Sequence, residues 1–519
     1  MAKKFTCSAR GPIVETKQGK LRGFETDGVY AFHGIKYADA GRFQMPKEPE
    51  SWEGIRNALA YGYVCPMLKQ DTPNMEVMVP HRYWPVDENC QYLNIWTTSL
   101  DPSAKKPVMV WLHGGGFFAG SSIEQVAYEG DHLCEYGDVV VVTLNHRLNI
   151  LGYLDLSAFG EKYANSANVG NADMVAALRW IHENIEGFGG DPENVTLFGQ
   201  SGGGMKVFCL MQTPEADGLF HKGIIQSGVL DHFMPEQRED TSAIGRALLK
   251  ELQIPEGQVE RLEKVPYPEL AAAYRKVAPE LEKQGEYVGC APLPDSYYLG
   301  DPRKTGFTEH ARTIPVMIGT VFGEFDFQPG IPDKRLMPEE EIRKLLKKKF
   351  GVYADELEKE FKLSYPGKCL TDLLSLDTIF RIPTKDFIAK RAACPESPVY
   401  SYLFAWEFPL DDGKPAWHCS EIPFVFHNTD RVPICCEPGI SDRLEEQISG
   451  AWVHFARYGS PQIPSLPEWP SCSPEDEAVM ILDTRCHVVH HHDDRLMSLL
   501  AEAQMRHAEN EKEEEWILH

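Results

Sequence analysis

Six short runs of the chain are almost wholly apolar: YLNIW (92–96), PVMVWL (107–112), VVVVTL (139–144), VTLF (195–198), GIIQ (223–226) and IPVMIG (314–319). Unbroken runs of this length suit strands buried on both faces, the condition inside a mostly parallel sheet. Between them lie stretches with apolar residues at helical spacing, such as NADMVAALRWIHENI (171–185). Strands alternating with helices predict an α/β fold, a central sheet covered by helices on both faces. Residues 11–36 instead alternate apolar and polar around Gly19 and a Thr-Asp-Gly turn, which predicts a small antiparallel meander.

Two regions break the alternation of strand and helix. TSAIGRALLKEL and ELAAAYRKVAPELEKQ fall within 240–285, and EEEIRKLLKKKF falls within 337–395, each with the pattern of an amphipathic helix. No repeat or low-complexity linker divides the chain. The pattern therefore predicts one domain over 1–519, with helical insertions at 231–310 and 330–395 packed over one end of the sheet. The lysines of EEEIRKLLKKKF read as a solvated helix face.

Charge narrows the function classes. The 519 residues carry 52 Lys and Arg against 77 Asp and Glu, a net charge of −25. Such a surface repels nucleic acid and anionic membranes. The N-terminal MAKKFTCSARGPIVETKQGK has no apolar core of a signal peptide, and no run approaches the roughly 20 apolar residues that span a bilayer. These features predict a cytoplasmic protein. The thirteen cysteines form no CxxC pattern and read as small buried hydrophobes. The acidic tail ENEKEEEWILH (509–519) reads as a solvated helix end.

Candidate chemistry begins at LFGQSGGG (197–204), where Gly199-Gln200-Ser201-Gly202-Gly203 fits G-x-S-x-G. The pattern alone also fits a glycine-rich turn with an idle serine. Its context, VTLF before and MKVFCLMQ after, is a strand followed by a helix, the sharp elbow that lifts a nucleophilic hydroxyl above a sheet. WLHGGGFFAG (111–120) follows another apolar strand, and three successive glycines let several N–H groups converge on one point. The N–H groups of Gly115, Gly116 and Gly202 are the expected donors to the oxyanion of an acyl-transfer intermediate. A serine nucleophile needs a base. KPAWHCSEIPFVFHN (414–428) offers His418 and His427, and IPVMIGTVFGEFDFQPG (314–330) offers Glu324 and Asp326 just beyond a strand end. The triple histidine at 490–492 suggests a metal, but adjacent residues do not face one point, so no metal and no organic cofactor is expected.

HGGGF (113–117), ENCQYLNIW (88–96) and GNADMVAALRWIHENIEGFGGDPENVTLFGQSGG (170–203) together resemble the type B carboxylesterase/cholinesterase family of α/β hydrolases, with motifs most similar to bacterial para-nitrobenzyl-esterase-like members. The resemblance runs over nearly the whole chain. It implies the triad Ser201, Glu324 and His418, with Ser227 beside it to orient the acid, and it places Phe117, Phe118 and Gln200 along the substrate pocket. It also implies a structural ion pair between Arg147 and Asp173, and a disulfide between Cys65 and Cys90 that a reducing compartment leaves as thiols.

Three departures from the family pattern limit the substrate. Gln200 replaces the glutamate that precedes the serine in cholinesterases, Gly202 stands where alanine is usual, and the 65–90 segment differs in spacing, so Trp84 is not equated with the choline-stacking tryptophan. The resemblance thus implies a serine carboxylesterase for small to medium, largely apolar or aromatic esters. The alternatives are a lipase for longer chains and a non-catalytic esterase-like binding protein. The expected partner is a small ester, with no nucleic acid and no membrane; the oligomeric state is open.

Overall fold

A computed structural model describes residues 4–68, 79–231, 240–327, 333–410 and 413–517, together with 233, 235, 236 and 238, and side chains as far as 505. Part of the 65–90 spacer, the first three residues, and the side chains of the acidic tail lie outside the described residues.

Twelve strands form one sheet. In chain order they are β1 (Phe5–Thr6), β2 (Phe24–Thr26), β3 (Val29–Lys36), β4 (Tyr92–Thr97), β5 (Lys106–Leu112), β6 (Val140–Leu144), β7 (Gly190–Gln200), β8 (Lys222–Gln226), β9 (Val316–Val321), β10 (Val399–Phe404), β11 (Val479–Leu482) and β12 (His487–Val489). Their spatial order follows the chain except that β6 lies between β4 and β5. From β6 to β11 all neighbours pair parallel. The first four strands and β12 pair antiparallel.

The apolar runs fill both faces, as their composition requires. Along β5, Met109 and Trp111 enter the core on one side with Val141 and Phe198, while Val108, Val110 and Leu112 enter the core on the other with Val140, Val142 and Leu197. Helix α1 (Val169–Asn184) packs into the second core through Met174, Leu178 and Ile181. The expected helices in the two interruptions are α3 (Ala243–Glu251), α4 (Tyr267–Lys283) and α5 (Glu339–Phe350).

The antiparallel pairing expected at 11–36 is present but divided between two sheets. Ile13–Glu15 and Lys20–Arg22 join Ile55–Asn57 in a separate three-stranded sheet, whereas β2 and β3 extend the edge of the large sheet. Alternation fixes which face of a strand is buried but not which sheet it joins. Among the described residues no helix is long and apolar enough to cross a membrane.

Because the chain leaves β5 toward β6 on one side and later returns to β7 on the other, a topological switch lies between β5 and β7. Open α/β sheets bind ligands beyond the carboxyl ends of the strands at such a point. The loops holding the candidate residues leave β5, β7, β8, β9 and β10 at that end.

Candidate active site

Ser201 joins β7 to α2 (Gly202–Leu210) with φ 56° and ψ −125°. A residue bearing a Cβ in that region stores roughly 1–3 kcal/mol of strain. Hydrogen bonds hold it there: Ser201 N–H donates to Gln226 O at 2.8 Å, and Ser201 O accepts from Met205 N–H at 2.9 Å. The turn fits only because its neighbours are glycines. A Cβ at Gly203 would stand 1.9 Å from Leu112 O, and one at Gly202 would stand 2.2 Å from Gly116 N. The second contact accounts for glycine at a position where the resemblance expects alanine. Here the loop after β5 comes down onto the start of α2.

That loop turns at Gly115 (φ 86°) and Gly116 (φ 61°), both left-handed. Gly115 O accepts from Ala119 N–H at 2.9 Å. A Cβ on Gly114 would lie 3.6 Å from the Cβ of Ser201. The three expected donors, Gly115, Gly116 and Gly202, therefore meet beside Ser201.

His418 and Glu324 come from the loops after β10 and β9. Two backbone bonds join these loops, Gly323 N–H to Ala416 O at 2.8 Å and His418 N–H to Glu324 O at 2.6 Å. The side chains meet as well: His418 Nδ1 lies 2.5 Å from Glu324 Oε2. The other oxygen, Oε1, accepts from Ser227 Oγ at 2.7 Å and from Val321 N–H at 3.0 Å. Gln200 Nε2 lies 3.3 Å from the same His418 Nδ1. One nitrogen cannot donate to Glu324 and accept from Gln200 at once. The shorter contact assigns the proton to Nδ1, leaving Nε2 as the basic nitrogen. Glu324 is 1% exposed and His418 5% exposed. Asp326, the other carboxylate on this loop, pairs with Lys414 at 2.8 Å. His427, the other imidazole, bonds Ser449 Oγ at 3.0 Å.

The carboxylesterase family model matches residues 10–499. The chain belongs to that family. It is 35% identical to para-nitrobenzyl esterase of Bacillus subtilis over 492 residues, 91% of this chain and 95% of that one. It is 32% identical to phenmedipham hydrolase of Pseudarthrobacter oxydans over 491 residues, with the same coverage. Among solved structures, it is similar to an esterase from the anaerobe Clostridium hathewayi, described as hydrolysing aliphatic aromatic polyesters. That match has a TM-score of 0.94 and 56% identity, covering 97% of this chain and all of the other. This carboxylesterase is accordingly a carboxylic ester hydrolase with the α/β-hydrolase fold.

Several residues around the carboxylesterase site escaped the sequence. Asp377 accepts backbone N–H groups of Ile379, Phe380 and Arg381 at the start of α6 (Arg381–Ala392). Burial and the nearby Glu324 charge push its carboxyl up to about 8. Glu421, three residues after His418, accepts from Gln226 Nε2 at 3.1 Å and is pushed up to about 7, again by burial and then by Glu324. Burial, reinforced by the charge of Glu324, thus raises both carboxyls toward neutrality. An Asp just before a helix start was the available signal for Asp377. Phe380 stacks on the His418 ring (5.2 Å, 18°), and Phe325 leans on it (4.8 Å).

The two phenylalanines after the loop glycines part company. Phe118 is 45% exposed, but Phe117 is fully buried against Tyr153 and Phe233. Phe117 is therefore corrected from pocket wall to core, since the positive φ values at Gly115 and Gly116 turn it under the loop. Gln200 is also buried, and its Oε1 accepts from the Cys419 thiol at 2.8 Å. Trp84 packs edge-on against Tyr61 at 5.6 Å. Cys65 and Cys90 are buried, adjacent thiols. Arg147 and Asp173 form a two-pronged buried pair at 2.7 and 2.8 Å.

The histidines at 490–492 diverge: His490 bonds Asp476, while His492 turns inward onto the Tyr365 ring. Among the described residues only Glu477, Asp493 and Asp494 come close enough together to hold a cation. Arg381 and Lys385 already neutralise that group.

Proposed function

We propose that Ser201 is the nucleophile of this carboxylesterase, His418 its general base and Glu324 the carboxylate that orients His418. Ser201 Oγ attacks the ester carbonyl as His418 Nε2 takes its proton. Glu324 holds the Nδ1–H tautomer and stabilises the imidazolium. Ser227, bonded to Glu324, fixes that carboxylate. The N–H groups of Gly115, Gly116 and Gly202 receive the oxyanion, each worth about 3–4 kcal/mol of barrier lowering. His418 returns the proton to the leaving alcohol, and water then cleaves the acyl-enzyme along the same route. The observation that carries this reading is the bonded chain Ser227–Glu324–His418, with Gln200, the residue before the positive-φ Ser201, lying against His418 Nδ1.

Small to medium esters with an aromatic acyl or alcohol part are the proposed substrates. Phe118 beside the oxyanion glycines and Phe325 beside Glu324, 45% and 43% exposed, supply aromatic faces for such groups. Relatives named for para-nitrobenzyl esters and for aliphatic aromatic polyesters support the same class. The helical insertions at 231–310 and 330–395 wall the site in this reading. Phe380 of the second packs on His418, and Phe233 of the first packs under the oxyanion loop. Thirteen free thiols support a reducing, cytoplasmic compartment.

A series of nitrophenyl esters from acetyl to long-chain acyl, extended with benzoyl esters, tests the substrate class. Turnover is expected to peak at short, medium or aromatic acyl groups. A preference for long, emulsified chains would replace this reading with a lipase.

A further inference from the structure

Lys206 lies five residues after Ser201, and the mechanism leaves its chemistry unused. It sits one turn into α2, fully buried, and its Nζ donates to His113 O at 2.8 Å. His113 is the residue immediately before Gly114, Gly115 and Gly116. Two neutral imidazoles lie beside it: His113 and His146 stack at 5.3 Å, each with Nδ1 donating to a backbone carbonyl. Nε2 of His146 is buried with no hydrogen-bond partner.

Burial opposes a cation at this position. Burial pushes the ammonium down to about 7, against the pull of Glu124 and of the Cys209 and Cys65 thiols. Burial and the Lys206 charge together hold both imidazoles well below their usual range. The N-terminal end of α2 is the positive end of a helix dipole, which repels it further. Its one hydrogen bond is to a neutral carbonyl. A buried group that violates local rules in this way marks a functional position.

We propose that Lys206 is a positioning residue that holds the His113 carbonyl and thereby aims the N–H groups of the oxyanion loop. In a trans peptide the His113 carbonyl and the Gly114 N–H point in opposite directions, so anchoring one fixes the other. Three glycines in succession have soft dihedrals, so this anchor adds to the bonds that Gly114 O and Gly115 O accept within the loop. The inference rests on the reading of Ser201 as nucleophile and of Gly115, Gly116 and Gly202 as oxyanion donors.

Lys206→Met and Lys206→Gln, both close to lysine in length and uncharged, test it. Wild type and variants are titrated with an organophosphate to count competent Ser201. They are then compared for kcat and KM on a nitrophenyl ester, affinity for a trifluoromethyl ketone, and Tm. The expected result for Lys206→Met is a kcat per titrated site lower by about 10- to 100-fold, with KM within about twofold. Affinity for the ketone, which forms a tetrahedral oxyanion adduct, falls in step with kcat/KM, while Tm stays level or rises. Lys206→Gln, which keeps a donor, recovers part of the loss. The proposal is overturned if kcat per titrated site stays within about twofold of wild type in Lys206→Met. It is equally overturned if neither variant folds, or if Tm falls with activity while titrated sites turn over normally, because the lysine is then structural. Labelling of wild type at a residue other than Ser201 would instead defeat the reading of the site itself.

Discussion

Two buried clusters of charge meet near the start of α6, and they are built oppositely. Around Arg381, charges balance: its guanidinium bonds Glu477 at 2.7 Å and Asp493 at 2.9 Å, Lys385 reaches both carboxylates, and Tyr365 and Ser401 hydroxyls supply further donors. Burial works against the Asp493 carboxylate, yet Arg381 and Lys385 hold it below its ordinary range. Around His418, three carboxylates, Glu324, Asp377 and Glu421, meet one imidazole. There two acids rise toward neutrality instead of finding cations. The first cluster spends its charges on one another and holds the fold together. The second leaves an imidazole held by Glu324 and touching Gln200, the residue before the strained Ser201. Incomplete compensation of buried charge sets the second cluster apart from the first, a pattern common at functional sites.

The largest expected effect is at the nucleophile. Ser201→Ala should lower kcat by about 10⁴–10⁶-fold while leaving Tm level, as followed by ester turnover and thermal melts. Glu324→Gln should cost about 10³–10⁴-fold in kcat, because the amide no longer holds the Nδ1–H tautomer of His418. Arg381→Met inverts the pattern. It should lower stability by about 3–5 kcal/mol through two stranded carboxylates, with kcat per folded molecule unchanged. A loss of kcat without loss of stability in that variant would erase the contrast between the clusters.

The smallest effect is a pH dependence. Glu421 ordinarily titrates near 4.5 and here near 7, so in that window the folded chain keeps a proton that the unfolded chain has released. Stability therefore falls as pH rises through the window, by up to about 1.4 kcal/mol per pH unit from this group. Asp377 adds to the same fall up to about pH 8. Glu421→Gln should flatten the curve of Tm against pH between 5 and 7.

The contrast also explains what the amino-acid sequence made legible. Apolar runs announce strands because a parallel sheet must be apolar on both faces. The turn at Ser201 and the glycines at 114–116 are legible because strained turns and close approaches restrict residue type. Ser201, Glu324 and His418 were placed by motif and order, and the fold brings the loops bearing them to the same end of the sheet. The crowding of Asp377 and Glu421 around Glu324 was invisible, since it depends on which loops meet in space. So was the burial of Phe117, which a positive φ two residues away decides. The tether from Lys206 to His113 spans 93 residues and leaves no local pattern.

One measurement bears most directly on the central claim that Ser201 is the reactive hydroxyl. The enzyme is treated with a substoichiometric series of an organophosphate, residual ester hydrolysis is recorded, and the modified peptide is mapped by mass spectrometry. Activity is expected to vanish linearly, reaching zero at one phosphoryl group per chain, all of it on Ser201. Inactivation with Ser201 unmodified, or full labelling of Ser201 with turnover intact, would contradict the account.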